Sequence, residues 1–65
     1  MPKETVEFDD VLCIAETDEA ILVEIDGDQH WIPQSQVNDD SEVWSKGDEG
    51  TLIITRWIAE KKGLV

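Results

Sequence analysis

The sequence predicts a small, mainly β domain with a short C-terminal helix, and three observations lead to that prediction. An Asp-Gly pair at residues 26–27 lies between two apolar stretches, which is the pattern of a tight β-hairpin. Turn-forming segments then divide the chain into short β-rich pieces at intervals of about 6–12 residues. The final residues change from a strand-like to a helical period.

Size and composition restrict the class of protein. Sixty-five residues predict a single domain over residues 1–65, whose net stability is about a few kcal/mol. The chain has neither an apolar run of the ~18 residues expected of a membrane helix nor the apolar core of a signal peptide at its start. Cys13 is the only cysteine, which excludes an internal disulfide and favours a reducing, cytoplasmic location.

The charge is strongly acidic, because sixteen carboxylates stand against five lysines and arginines and give a net charge of −11. The imbalance is uneven: residues 1–54 hold fifteen acids and two bases, whereas residues 55–65 hold one acid and three bases. Phosphate groups and anionic lipids repel such a surface, so we expect neither a direct nucleic-acid partner nor a membrane partner. Excess carboxylates also keep small proteins in solution.

The first predicted strand follows a frayed terminus at residues 1–5. Its apolar residues of one parity are Val6, Phe8, Leu12 and Ile14. Asp10 interrupts that pattern, and from Val11 onward apolar residues also occupy the other face. We therefore predict a long or bulged strand with its irregularity at the two aspartates, Asp9 and Asp10.

The hairpin comprises a second strand at residues 20–25 and a third at about residues 28–32, ended by Pro33 because proline cannot donate to a sheet ladder. Two registers are open. A two-residue turn at Asp26-Gly27 places Trp31 opposite Leu22, whereas a three-residue loop with a bulge places Trp31 opposite Val23. Since a slip of one residue moves every side chain to the other face, the register decides whether Trp31 is core or surface.

The remaining chain predicts a single helical or 3₁₀ turn at residues 34–37, a loop, a fourth strand at residues 42–45 and a fifth strand at residues 51–55. A helix over residues 56–63 follows, with Thr55 as its N-cap and Gly63 as its left-handed terminator. We expect Trp57 or Ile58 to anchor this helix to the sheet, since so short a helix does not persist alone.

Five short strands and a terminal helix favour a small, five-stranded antiparallel SH3-like barrel or bent sheet. A five-stranded oligonucleotide-binding-type barrel is the alternative, and it is disfavoured because the chain is short for it.

Two segments of the chain carry a resemblance. Residues 20–27 (AILVEIDG) with 30–36 (HWIPQSQ), and residues 57–64 (WIAEKKGL), resemble a pattern in short, acidic phage and prophage proteins of unknown function. The matching segments cover a third to a half of the chain. The resemblance implies a phage or bacterial origin, hence a host-cytoplasmic location if phage-encoded, and a shared fold. It implies no activity.

No residue pattern indicates catalysis or a cofactor. Cys13 lies in an apolar run and is predicted to be a buried hydrophobe, and the lone His30 lacks the partners of a zinc site. Neither Asp26-Gly27-Asp28 nor residues 39–42 match a calcium loop, and no triad or nucleophile-elbow spacing occurs. We therefore expect no metal, no cofactor and no enzyme activity.

Two hypotheses for a protein-binding module remain. In the first, the protein is an inhibitor that occupies a basic, nucleic-acid-binding surface of a host or defence protein through an acidic face made of Glu24, Asp26, Asp28, Asp39, Asp40 and Glu42. In the alternative, it is a structural or accessory adaptor that binds a protein or peptide through an aromatic face made of Trp31, Trp44 and Trp57, because tryptophan is enriched at binding hot spots. The sequence also leaves self-association into a homo-oligomer open.

Overall fold

A computed structural model describes residues 4–65 as a four-stranded antiparallel sheet with one short helix. The strands are β1 (Thr5–Glu16), β2 (Ala20–Ile25), β3 (Asp28–Pro33) and β4 (Glu49–Thr55), in the spatial order β3-β2-β1-β4. A 3₁₀ turn (Gln34–Gln36) follows β3, and helix α1 (Arg56–Lys61) follows β4. The mainly β class, the 3₁₀ turn and the C-terminal helix are confirmed, but the sheet has four strands and does not close into a barrel.

The start of the described chain is held in place. Residues 1–3 of the predicted frayed terminus lie outside the described residues, whereas Thr5 already pairs with Thr55 as the first residue of β1. The backbone oxygen of Glu4 accepts from the Arg56 N–H at 2.9 Å, and the two side chains form an ion pair at 2.8 Å. The prediction of a frayed terminus is therefore wrong for Glu4 and Thr5.

Strand β1 is long and pairs with two other strands. Its first half pairs with β4, and its second half pairs with β2 from Leu12 onward. The predicted irregularity is confirmed, because the register with β4 shifts between Phe8 and Val11 and Asp10 has a φ of 58°. The extra residue reverses the alternation, so that Val11 and Cys13 are buried in place of the expected Leu12 and Ile14.

The hairpin between β2 and β3 adopts the two-residue register. Asp26 and Gly27 have φ values of 52° and 86°, as a type I′ turn requires, and Ile25 lies opposite Asp28. Trp31 therefore lies opposite Leu22 on the outer face of the sheet, and its side chain is 45% exposed.

The predicted fourth strand at residues 42–45 does not form. Instead, residues 37–44 pass along the outer edge of β4, where Asn38 N–H donates to the Ile53 oxygen and Glu42 N–H donates to the Thr51 oxygen. Two side chains accept the other bonds: Ser41 Oγ from Ile53 N–H at 3.2 Å and Glu42 Oε1 from Thr51 N–H at 2.9 Å. Val43 is fully buried, as the prediction of a strand requires, but side chains take the place of half of the backbone hydrogen bonds that a strand would make.

Helix α1 has the predicted N-cap and the predicted terminating glycine, although the helix itself is shorter than the predicted residues 56–63. The Thr55 hydroxyl accepts from the Ile58 N–H at 3.3 Å, and Gly63 (φ 73°) lets Leu64 N–H return to the Ala59 oxygen at 2.8 Å. Ile58 anchors the helix because it is buried, whereas Trp57 is 59% exposed with the Lys61 ammonium 5.1 Å from its ring centroid.

One core joins the sheet, the loop that borders β4 and the helix. Its members are Val11, Cys13, Ile21, Val23, Ile25, Ile32, Val37, Val43, Leu52, Ile54, Ile58 and Ala59. Since residues 37–44 and α1 contribute to the same core as the strands, each of them depends on the sheet.

Replacing Gly27 with valine should lower the free energy of unfolding by about 1–2 kcal/mol, because a β-branched residue resists a positive φ. No atom lies within 4 Å of the position of an added Cβ, so the cost reflects backbone strain alone. Urea unfolding measures it. Gly27→Asn is the matched control and should cost less than half as much, since asparagine tolerates this conformation. Equal costs for both substitutions would contradict the type I′ turn.

Truncating Ile58 to alanine should cost about 2–5 kcal/mol, because the side chain is buried in the core. Trp57→Ala should cost less than about 1 kcal/mol, since the loss is limited to surface contacts and the interaction with Lys61. Thermal unfolding of the two variants compares neighbouring positions of one helix. A larger loss for Trp57→Ala would show that the helix docks through its other face.

Candidate protein-binding surfaces

The pairing of β1 with β2 brings two groups of aspartates to the same end of the sheet. Leu12 lies opposite Glu24, so two residues further along each strand the Asp26 turn is level with the Asp10 bulge. Neighbouring strands are about 4.8 Å apart. We call the resulting group the acidic rim, and its members are Asp9, Asp10, Glu24, Asp26 and Asp28.

The three hairpin carboxylates surround the turn rather than forming one straight row. Glu24 lies opposite Gln29 on the outer face, whereas Asp28 lies opposite the buried Ile25 on the core side of the sheet. Asp26 is exposed at the tip between them. The alternation of acids in the sequence therefore predicts that these carboxylates lie near one another, but they do not all lie on one face of the sheet. Asp9 and Asp10 were missed as partners of the hairpin, because only the pairing register connects them to it.

The second predicted acidic group lies in the loop that borders β4. Asp39 and Asp40 are exposed, and the Asp40 N–H donates to Asn38 Oδ1 at 2.9 Å. Glu42 adjoins the acidic rim through Thr51, whose backbone N–H donates to Glu42 and whose hydroxyl donates to Asp9 Oδ1 at 3.3 Å. Glu42 thus has a structural task as well as a charge.

Within residues 4–65, no lysine or arginine forms an ion pair with the acidic rim. In residues 4–65 the ion pairs are those of Arg56, with Glu4 at 2.8 Å and with Glu60 at 4.0 Å, and both lie at the start of α1. Lys61 lies over Trp57 on the same helix. Three of the four basic residues in this part of the chain, Arg56, Lys61 and Lys62, lie at the helix, and the fourth, Lys46, lies in the loop before β4.

The three tryptophans occupy different environments. The Trp44 ring packs against the core and its Nε1–H donates to the Ser41 oxygen at 2.9 Å, so this residue fastens the loop. Trp31 and Trp57 are the exposed pair, on β3 and on α1. Of the three tryptophans in the predicted aromatic face, only Trp31 and Trp57 are therefore accessible to a partner.

Trp31 has apolar neighbours that the sequence pattern did not single out. Ala15 on β1 lies opposite Leu22 on β2, and Leu22 lies opposite Trp31 on β3. We call these three residues the outer row. They occupy the sheet face opposite the core, which in an antiparallel sheet is usually polar. Their alignment depends on the two-residue turn and on the β1 irregularity between Cys13 and Ala15, which the sequence did not specify.

Cys13 is buried, and its Sγ donates to the Ala15 oxygen at 3.2 Å. Burial raises the pKa of the thiol above its ordinary value of 9.0, because a thiolate would lose its hydration. The hydrogen bond to Ala15 opposes this rise, whereas the negative charges of Glu16 and Asp48 add to it. The geometry is that of an inert structural cysteine.

The other candidates for chemistry are dispersed. His30 is half-buried opposite Val23, and residues 4–65 contain no group of three histidine, cysteine or acidic side chains placed to hold a metal ion. A shallow groove at the start of α1 is lined by Glu4, Gln36, Thr55, Arg56, Trp57 and Glu60. Within it the Thr55 hydroxyl donates to Gln36 Oε1 at 2.7 Å and so joins the 3₁₀ turn to the helix.

Cys13 should react with iodoacetamide at pH 8 at least about tenfold more slowly in the folded protein than in 8 M urea, because the folded thiol is buried and its pKa is raised. The raised pKa stabilises the fold fully below pH 9.0, and this contribution is lost as the pH rises through the folded-state value. Mass spectrometry follows the reaction. Cys13→Ala should remove the stability loss above pH 9 that the thiol causes, and equal alkylation rates in both states would contradict the burial.

No helix within residues 4–65 has the length and apolar character needed to cross a membrane. Comparison with protein-family models, with curated proteins and with solved structures finds no match to this chain.

Proposed function

We propose that this chain is a protein-binding module that covers a basic surface of another protein with its acidic rim. The observation that carries the proposal is the group of mostly exposed carboxylates around the β2–β3 turn and the β1 bulge, with which no lysine or arginine of residues 4–65 forms an ion pair. The carboxylates of the rim can form ion pairs with the lysines and arginines of a basic partner. Their attraction at long range also speeds association.

The resemblance to phage and prophage proteins supports a more specific version of the proposal. A phage-encoded or bacterial protein of this kind acts as an inhibitor when it occupies the groove in which a host or defence protein binds nucleic acid. Such grooves are lined with lysine and arginine because they neutralise phosphates. Asp39, Asp40 and Glu42 extend the acidic surface from the rim along the outer side of β4.

The alternative is an adaptor that recognises a protein or peptide through its tryptophans. One observation favours it: Trp31 is 45% exposed and lies beside Leu22 on the outer face. Tryptophan supplies a large contact area at interfaces. In this version the acidity only maintains solubility, and the exposed Trp57 provides a second contact.

Affinity capture from a bacterial lysate at 50 and 300 mM salt separates the two versions. The bait proteins are the wild type, the triple variant Glu24→Lys, Asp26→Lys, Asp28→Lys, and the single variant Trp31→Ala. If the acidic rim binds, proteins captured at 50 mM salt are lost with the triple variant, are reduced at 300 mM salt and are displaced by added duplex DNA. The adaptor version predicts capture that survives charge reversal and salt but is lost with Trp31→Ala.

The controls address folding and general charge. Exposed charges contribute little to stability, so the triple variant should keep the thermal midpoint of the wild type within a few degrees. Asp39→Lys with Asp40→Lys changes the charge by four units, against six for the triple variant, at a site away from the turn, and it should weaken capture less than in proportion to this charge. Capture by the triple variant that equals the wild type at both salt concentrations would rule out the acidic rim as the binding surface.

A further inference from the structure

The two edges of the sheet differ in a way that the proposed function does not use. At the β4 edge, the backbone groups of Thr51 and Ile53 are all bonded by residues 38–42. At the β3 edge, the two-residue turn makes Ile25–Asp28 a hydrogen-bonded pair, so by alternation the N–H and C=O groups of Gln29 and Trp31 point away from β2. In residues 4–65 no turn or loop donates to these groups or accepts from them.

The side chains beside this free edge suit an added strand. Gln29 and Trp31 are exposed, and Trp31 continues into Leu22 and Ala15 as the outer row. A strand paired with β3 places alternate side chains against the Trp31 ring, in the way extended peptides are recognised at sheet edges. The backbone pairing supplies affinity, and the tryptophan supplies an anchor.

The charge around the edge identifies the occupant. Residues 16–33, which include the whole hairpin, hold six carboxylates and no lysine or arginine. Asp26 and Asp28 lie at one end of β3, and Asp18 and Glu19 lie at the other, where Ala20 pairs with Pro33. A second copy of the chain would bring two such acidic hairpins together. A basic segment instead meets opposite charge at both ends of β3.

We propose that the outer edge of β3 takes up an extended, lysine- or arginine-rich segment of a partner protein as a fifth strand, paired with the backbone of Gln29 and Trp31. This inference rests on the proposed function, since it names the form in which the basic partner is bound. The binding unit is the β2–β3 hairpin, whose acidic residues attract the segment and whose free edge pairs with it.

The test uses a blocked seven-residue peptide in which lysine and valine alternate, titrated into the ¹⁵N-labelled full chain and followed by NMR. We expect saturable shifts and slower hydrogen exchange for the Gln29 and Trp31 amides at peptide concentrations up to about 1 mM. The Trp44 indole is an internal control, since it is bonded to Ser41 and should not shift. A peptide with glutamate in place of lysine should bind at least tenfold more weakly.

Gln29→Pro is the decisive variant. It removes one outward N–H without removing a bond to β2, so the fold should persist and peptide affinity should fall at least tenfold. If the variant unfolds, a lysine–valine peptide N-methylated on alternate residues provides the same test from the other side. No saturable binding, binding without protection of Gln29 and Trp31, or protection that arises from self-association at higher protein concentration would each overturn the inference.

The proposed function and this inference fail separately. If the triple charge reversal at Glu24, Asp26 and Asp28 weakens peptide binding but Gln29→Pro and N-methylation do not, the acidic rim binds and the edge proposal is overturned. If blocking the edge weakens binding and charge reversal does not, a strand pairs with β3 but charge does not select it, which overturns both the acidic rim as the source of affinity and the basic occupant proposed here.

Discussion

The bulge in β1 is the constraint on which the rest of the structure depends. Asp10 takes a positive φ, and the register with β4 shifts between Phe8 and Val11. On either side of this shift β1 stays paired, with β4 from Thr5 to Leu12 and with β2 from Leu12 to Glu16. Because the bulge also reverses which parity faces inward, Val6 and Phe8 share their face with Val11 and Cys13. Without it, one half of the strand would turn its apolar side to water.

The sheet is protected at one edge by a loop that is not a strand. Ser41 and Glu42 lend side-chain oxygens to the N–H groups of Ile53 and Thr51, while Val43 enters the core beside them. Buried backbone groups need partners, and a side-chain acceptor meets that need as well as a carbonyl does. The chain thus covers the β4 edge without adding a fifth strand to the ladder, and β3 remains the edge that is open to another chain.

The charged and aromatic hypotheses meet on the same hairpin. The acidic rim surrounds the tip of β2–β3, and the outer row ends at Trp31 on β3. The basic residues of the described chain lie mostly at α1, where Arg56 and Lys61 are occupied by Glu4 and Trp57. The acidic and the aromatic hypotheses therefore both concern the hairpin, which is why they are tested with variants of the same element.

The sequence by itself determined the local elements of this protein. The Asp26-Gly27 turn, the bulge at the paired aspartates, the 3₁₀ turn after Pro33, and the cap and terminator of α1 each depend on the conformational preferences of one or two residues. The sequence also located the acidic hairpin, since Glu24, Asp26 and Asp28 alternate around the predicted turn. Such features follow from short-range physics, and that is why they were predictable.

Only the tertiary structure decided the pairing register of the strands and which residues are neighbours in space. The register of the hairpin placed Trp31 outside, the β1 bulge placed Asp9 and Asp10 beside the turn, and the side chains of Ser41 and Glu42 replaced a strand. Each of these outcomes depends on a choice between competing pairings that differ by one residue of register or by one hydrogen-bond acceptor. The choice is made by the burial of the whole core at once, which no local pattern in the sequence specifies.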